Sequence, residues 1–228
     1  MNKGNTKRRI ARSFMDLVIE SPNPRTHVNV TEIVSRLNMD RKTFYHYFDN
    51  TTDLVIWIFR SEIASMISGE KFEGFKLEYP DPSLHDKYQD LPFFAHAPLI
   101  NGKLDQSSYF KALCDLFNTD FEYYRRVLTY SCYLDFYCYL VNLYKPAIRN
   151  DILELSSGKS PLPNEVIEFL TEYHTIAIIG RVPYHFSFKQ NQLPKEGLDR
   201  VWNYSHEILR YSVDNLFPLN MRRNLPNM

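Results

Sequence analysis

Residues 29–48, Asn-Val-Thr-Glu-Ile-Val-Ser-Arg-Leu-Asn-Met-Asp-Arg-Lys-Thr-Phe-Tyr-His-Tyr-Phe, decide the fold. They read as two short helices joined by a tight turn. Asn29 and Glu32 stand in an N-x-x-E arrangement, in which each side chain can bond the other's backbone N–H, so a helix starts after Asn29. Ile33, Val34 and Leu37 give that helix an inner face. Asn38 sits where the chain must turn, and asparagine tolerates a positive φ better than most non-glycine residues. Asp40 suits the N-cap of the next helix, from Arg41 to Tyr47. Phe44 and Phe48, four apart, share its inward side. Tyr45, His46 and Tyr47 are three consecutive polar-tipped rings, which cannot all face inward on a helix. With Arg41, Lys42 and Thr43 they make an outer side suited to a DNA groove.

Working outward, Lys7 to Glu20 reads as a first helix, with Ile10, Phe14, Leu17 and Val18 at spacings of three and four. Ser21-Pro-Asn-Pro ends it. Asn50 and Asp53 suggest another capped start, for a long helix through about Ser68 that carries Leu54, Val55, Trp57, Ile58, Ile63 and Ile67. Pro80, Pro82, Pro92 and Pro98 break any period over 69–105, which reads as a long connection with at most a turn of helix. Helical patterning returns from about Gln106, with Leu113, Leu116 and Phe117 in one helix. Phe121 to Tyr144 reads as a longer, tyrosine-dense helix stopped by Pro146. Residues 156–163 are loop by composition. Asn164 to Gly180 places Val166, Leu170, Tyr173 and Ala177 on one buried stripe. Ile176, Ile178 and Ile179 make its second half apolar almost all round, which implies contact on two sides. Leu198 to Phe217 has a broad stripe of Val201, Trp202, Ile208, Leu209 and Val213. Two such helices make a natural four-helix interface with a second copy. With no clear run of strands, the expected class is all-α.

The chain has 228 residues, of which 44% are hydrophobic and 15% aromatic, enough for a sizeable core. Only 7 glycines against 13 prolines argue against a Gly-rich phosphate cradle. No apolar run approaches the ~20 residues of a membrane span, and the amino terminus lacks the apolar centre of a signal peptide. A cytoplasmic protein without a membrane partner is expected. Cys114, Cys132 and Cys138 form no C-x-x-C pair and read as buried, inert thiols. Residues 1–49 carry nine Lys/Arg against five Asp/Glu, although the whole chain balances at 27 each. A basic head on an acidic body fits a polyanion at one end only.

The order helix, capped helix, turn, Thr43-Phe44-Tyr45-His46-Tyr47-Phe48, capped long helix resembles the DNA-binding head of the TetR family of bacterial transcriptional regulators. The matching span is about Arg8 to Val55, strongest from Ile33 to Leu54. The Asp40-Arg-Lys-Thr-Phe-Tyr start looks like a subgroup that regulates dihydroxyacetone-kinase operons. The resemblance implies an N-terminal three-helix helix-turn-helix head, residues 1–52, joined to a helical ligand-binding and dimerisation bundle, residues 53–228. It implies a homodimer on an inverted-repeat DNA operator, acting as a repressor released by a small-molecule effector. Arg41 and Lys42 would reach guanine O6 and N7 in the major groove. Thr43 would touch a thymine methyl or a phosphate, Tyr45 and Tyr47 phosphates, and His46 a base edge or the backbone. Asn29 would help seat the second helix on a phosphate. The family usually has glycine at the position of Asn38 and lysine at that of Thr51, so Thr51 would donate only a hydroxyl to the DNA.

Other constellations point to no chemistry. His85 and His96, with Asp81, Asp86 and Asp90, lack metal-ligand spacing and read as a solvated loop. His174 and His185 read as core or interface histidines. The tyrosines of 123–144 read as core before pocket lining. No catalytic group, metal or cofactor is implied. Two rival readings stay open: a helical protein-interaction module that has lost sequence-specific DNA binding, and a small-molecule enzyme built in the helical body, which no nucleophile, metal or cofactor signature supports.

Overall fold

The computed structural model describes residues 3–23, 25–98, 107–156, 162–189, 192–193 and 207–216. The chain is helical, with an N-terminal three-helix head joined to a helical body. The head comprises α1 (Lys3–Glu20), α2 (Val30–Arg36) and α3 (Arg41–Tyr45). The long α4 (Thr51–Ile67) leads into a body of α5 (Ser107–Thr119), α6 (Phe121–Thr129), α7 (Leu134–Ser156) and α8 (Asn164–Phe188). A helical segment over 207–211 runs into a π-helical turn, Ser212–Leu216. One apolar core is continuous from Ile10 and Phe14 in α1, through Leu54 and Ile63 in α4, to Ile152 in α7 and Phe186 in α8.

Local chemistry sets the head. The Asn29–Glu32 capping box forms in both directions: Glu32 N–H donates to Asn29 Oδ1 at 3.0 Å, and Asn29 N–H to Glu32 Oε2 at 2.7 Å. Asn50 caps α4 by accepting the Asp53 N–H at 2.8 Å. Asn38 makes the turn between α2 and α3 at φ 49°, the left-handed region that favours glycine.

The connection after α4 holds more structure than its prolines suggest. Two three-residue strands, β1 (Lys76–Glu78) and β2 (Phe94–His96), pair antiparallel with Leu77 opposite Ala95. Strands this short lie below the length at which alternation is legible in sequence. The segment between them wraps the guanidinium of Arg60, which is fully buried in the middle of α4. Arg60 donates to Asp86 at 3.2 Å, to the Tyr139 hydroxyl at 2.7 Å, and to the carbonyls of Tyr88 and Leu91. Tyr139 in turn donates to Asp86 at 2.7 Å. Removing either charge would strand the other in low dielectric, a cost of about 3–5 kcal/mol. His96 lies between Glu78 (2.6 Å) and the buried Asp151 of α7 (3.4 Å). The solvated-loop reading therefore holds for exposed His85, Asp81 and Asp90, but not for His96 and Asp86.

Four further expectations are corrected. Phe121 to Tyr144 is not one helix: the extended backbone of Tyr130 (φ −95°, ψ 137°) and a 3-10 turn, Ser131–Tyr133, separate α6 from α7. Pro146 does not stop α7, nor Gly180 α8; α7 continues to Ser156, and α8 continues through Pro183 to Phe188. Packing on neighbouring helices outweighs one lost backbone bond. Gly180 lets α7 approach, since a Cβ there would lie 3.4 Å from the Tyr137 hydroxyl. Tyr173 and Ala177 face outward instead of lining the buried stripe. α8 turns Thr171, His174 and Thr175 inward, and the two threonine hydroxyls donate to carbonyls one turn back at 2.7 and 2.6 Å. No disulfide joins the three cysteines, but only Cys114 is buried; Cys132 is half-buried and Cys138 exposed on α7. The start of the expected 198–217 helix, with Val201 and Trp202, lies outside the described residues. Among the described residues no helix is long and apolar enough to cross a membrane.

Two outcomes follow from this packing. Burial alone would lower the His96 pKa, but the bonds and charges of Asp151 and Glu78 outweigh it and raise it to about 9. That stability is full below the ordinary histidine value and is lost as pH rises through about 9. Urea unfolding between pH ~7 and ~9.5 should show a decline that His96→Gln flattens. At Asn38, alanine should cost about 1 kcal/mol in the same assay while glycine costs none, because only Cβ opposes the left-handed conformation there.

Candidate nucleic-acid interface

The orientation of α3 is set from below. Phe44 and Phe48 are both 0% exposed, with ring centroids 5.7 Å apart. Phe48 meets Trp57 of α4 edge-on at 5.5 Å. The Lys7 ammonium lies over both of these rings, 5.8 and 5.6 Å from their centroids. Asp40 caps α3: its Oδ1 accepts the Thr43 N–H at 2.7 Å and the Thr43 hydroxyl at 3.0 Å. These bonds, the backbone one foremost, hold its carboxyl below the usual range. Arg36 fixes α2 on α1 through two bonds to Glu20, of 2.6 and 2.9 Å. An exposed pair of this kind adds orientation more than stability.

With that side sealed, the other is open. Arg41, Lys42, Tyr45 and His46 are exposed, and Thr43 and Tyr47 are half-buried. The helix ends at Tyr45, two residues before its expected end, and His46 is its C-cap. Such boundaries shift by one or two residues with the tightness of the last turn. The Arg41 guanidinium lies 5.8 Å from the Tyr45 ring centroid and donates to the Tyr45 hydroxyl at 3.3 Å. The His46 and Tyr47 rings meet edge-on at 4.8 Å. Asn29 is exposed beside them, its carbonyl oxygen used by the cap.

A groove of about 620 Å³ runs between α2, α3 and the start of α4. Asn29, Thr31, Ser35, Arg41, Tyr45 and Asn50 line it. It brings together Asn29, Arg41, Tyr45 and Thr51 of the expected set; Lys42, Thr43, His46 and Tyr47 lie outside this lining. Thr51 differs from the rest. It is 6% exposed, and its hydroxyl lies 3.1 Å from His27 Nε2. Residue periodicity did not single out His27, whose ring also stacks on Tyr133 of the body at 5.0 Å. Its partners stand 24 and 106 positions away, so no local pattern marks it. Thr31 and Ser35 were also missed, although two hydroxyls four apart on an exposed helical side are a readable signal.

No family model matches this chain. Over 63 residues, 28% of its length, it is 35% identical to the HTH-type dhaKLM operon transcriptional activator DhaS of Lactococcus lactis subsp. lactis (strain IL1403). The match spans a third (33%) of that curated relative. A solved structure of the dihydroxyacetone kinase operon activator DhaS overlays 91% of this chain and 96% of its own, with TM-score 0.53 and 16% identity. The fatty acid degradation regulator FadR from Bacillus halodurans overlays 95% of this chain and 99% of its own, with TM-score 0.49 and 14% identity. The two DhaS proteins are named as operon activators. At such identity the DhaS overlay establishes a shared fold, a helical N-terminal head on a helical body.

Proposed function

We propose that this chain is a DNA-binding transcriptional regulator of the TetR type that acts as a homodimer. Residues 1–52 form its DNA-binding head, and residues 53–228 its ligand-binding and dimerisation body. The observation that carries this reading is the outer side of α3, with Arg41, Lys42, Tyr45 and His46 open over a sealed Phe44–Phe48 pair. Arg41 and Lys42 read guanine edges, the contact for which cationic donors are best matched. Tyr45 and Tyr47 hold phosphates, Thr43 meets a thymine methyl or a phosphate, and His46 a base edge or the backbone. Asn29 seats α2 on the phosphate backbone. Thr51 belongs to this set by its place at the start of α4, its hydroxyl being engaged by His27.

Dimerisation is supported by α8. Phe169, Tyr173, Ile176, Tyr184 and Phe188 form one outward stripe, and Phe188 alone is 71% exposed. Ile208 and Tyr211, further along the chain, are exposed as well. An aromatic stripe of this length on a single chain is the mark of a protein interface. Two heads so joined would meet half-sites of an inverted repeat about one DNA turn apart, ~34–36 Å, or a multiple of it. Bound across a promoter, such a dimer represses until an effector releases it. Bound upstream it activates, the role named for the Lactococcus lactis relative.

One observation favours a second reading, a helical interaction module without sequence-specific DNA binding: the Thr51 hydroxyl is turned to His27 instead of solvent. Selection from random duplex DNA, then gel-shift titration on the selected and scrambled duplexes, separates the two. For a regulator, affinity falls steeply with salt. Arg41→Ala weakens the selected duplex by about 1–3 kcal/mol while barely changing the scrambled one. Tyr45→Phe weakens both alike. Absent or salt-insensitive binding favours the interaction module. Analytical ultracentrifugation addresses the dimer: the wild type should sediment as a dimer and Phe169→Asp/Tyr173→Asp as a folded monomer.

A further inference from the structure

Among the described residues, the space where the main helices of the bundle meet is small. Where α4, α5, α7 and α8 meet, the cavity is about 20 Å³, closed by Phe59, Phe110, Phe117, Leu140 and Tyr144 among others. That holds about one water. A roomier, open groove lies elsewhere, at the junction of head and body between α1, α4 and α5, with a volume of about 870 Å³. Ligand sites of small molecules fall in this range.

We propose that this junctional groove binds an organic cation with an apolar body, its ammonium paired with the Glu62 carboxylate. The walls supply the apolar part: Met15 from α1, Trp57, Ile58 and Met66 from α4, Phe72, and Leu116 from α5. Glu62 supplies the charge. Tyr124, fully buried on α6, donates to Glu62 Oε2 and so fixes the carboxylate in place. The other oxygen, Oε1, has no hydrogen-bond partner among the described residues. Burial pushes this carboxyl up to about 7, against the lowering by Tyr124; Asp120 on α6 adds to the rise and Arg12 on α1 opposes it. Three cations line the groove, Arg8, Arg12 and Lys71. Only Arg12 among them acts on Glu62, and it is drawn toward Asp16 at 3.3 Å and Asp120 at 3.7 Å. The ionised carboxylate is therefore short of positive charge. An ammonium entering the groove supplies it, while Trp57, whose ring already lies under the Lys7 ammonium, contributes apolar wall.

The groove is bounded by α1 of the head and by α4, which starts directly after α3. Occupancy wedges these two helices and so favours one setting of the heads over another. That last step rests on the regulator reading; binding of the cation does not.

Calorimetry on the full chain with 1-naphthylmethylammonium and its neutral counterpart 1-naphthalenemethanol tests this at about pH 8, where Glu62 is ionised. The ammonium should bind more tightly than the alcohol. Glu62→Gln, which keeps the volume and an acceptor for Tyr124, should weaken the ammonium about tenfold or more and leave the alcohol unchanged. Trp57→Leu, which removes apolar wall, should weaken both probes. Absence of ammonium binding, equal binding of the two probes, or unchanged ammonium affinity in Glu62→Gln would overturn the proposal. Charge-dependent binding in a chain that fails to shift DNA upholds the site and removes only its link to the heads.

Discussion

Burial of the Phe44–Phe48 pair is the constraint on which the candidate interface depends. Two phenyl rings taken wholly out of water contribute about 1.5–3 kcal/mol each. They sit four residues apart on one side of a very short helix, so sealing them fixes the rotation of α3 about its own axis. Everything polar on that helix then faces outward by geometry. The Asp40 cap and the left-handed Asn38 set where the helix begins and at what angle, and neither makes a large energetic contribution alone. The result is a rigid cationic and aromatic edge on a segment too short to be helical in isolation.

Head and body are joined by helix α4 more than by any linker. Its first turn flanks the groove beside α3, its Trp57 packs on Phe48, and its Arg60 organises the connection that follows. A buried guanidinium needs nearly every donor satisfied, and Asp86, Tyr139 and two carbonyls provide this. The hairpin is pinned a second time through His96 to Asp151 on α7. A proline-rich segment of the kind that often runs free is thereby folded onto the bundle. Other ties cross from the body: Arg126 of α6 donates to the Val18 and Ser21 carbonyls at the end of α1, both at 2.8 Å, and His27 stacks on Tyr133. A shift in α6 or α4 would be felt at the head through these bonds.

The body divides its aromatic residues between two tasks. Tyr109, Tyr123 and Tyr124 are wholly buried, and Tyr133 and Tyr144 almost so, as part of the packed core. Burial drives the phenols of Tyr109, Tyr123 and Tyr124 well above their ordinary range, so Tyr109 and Tyr124 act as neutral donors to the Phe93 carbonyl and Glu62, and Tyr123 as volume. The rings of α8 instead form an uncovered outer stripe. Room for a small molecule is left at the head–body junction, where helices of unlike origin meet imperfectly.

What the residues determined alone was local. The Asn29–Glu32 box, the caps at Asp40 and Asn50, the turn at Asn38 and the inward Phe44–Phe48 pair all depend on atoms within four or five positions, and each is found in the structure. The all-helical class followed from apolar periodicity for the same reason. Tertiary structure decided the rest, because it rests on partners far apart in the chain. The break at Tyr130 and the helical passage of Pro146 and Pro183 are settled by packing against other helices. Which side of α8 is buried depends on where α7 lies, and the inward turn of Thr171 and Thr175 conceals it from a hydrophobicity pattern. The burial of Arg60 and Thr51, the pairing of His96 with two carboxylates, and the groove around Glu62 likewise exist only once distant segments converge, since a charged or hydroxyl side chain carries no local sign of whether it will meet water or a partner.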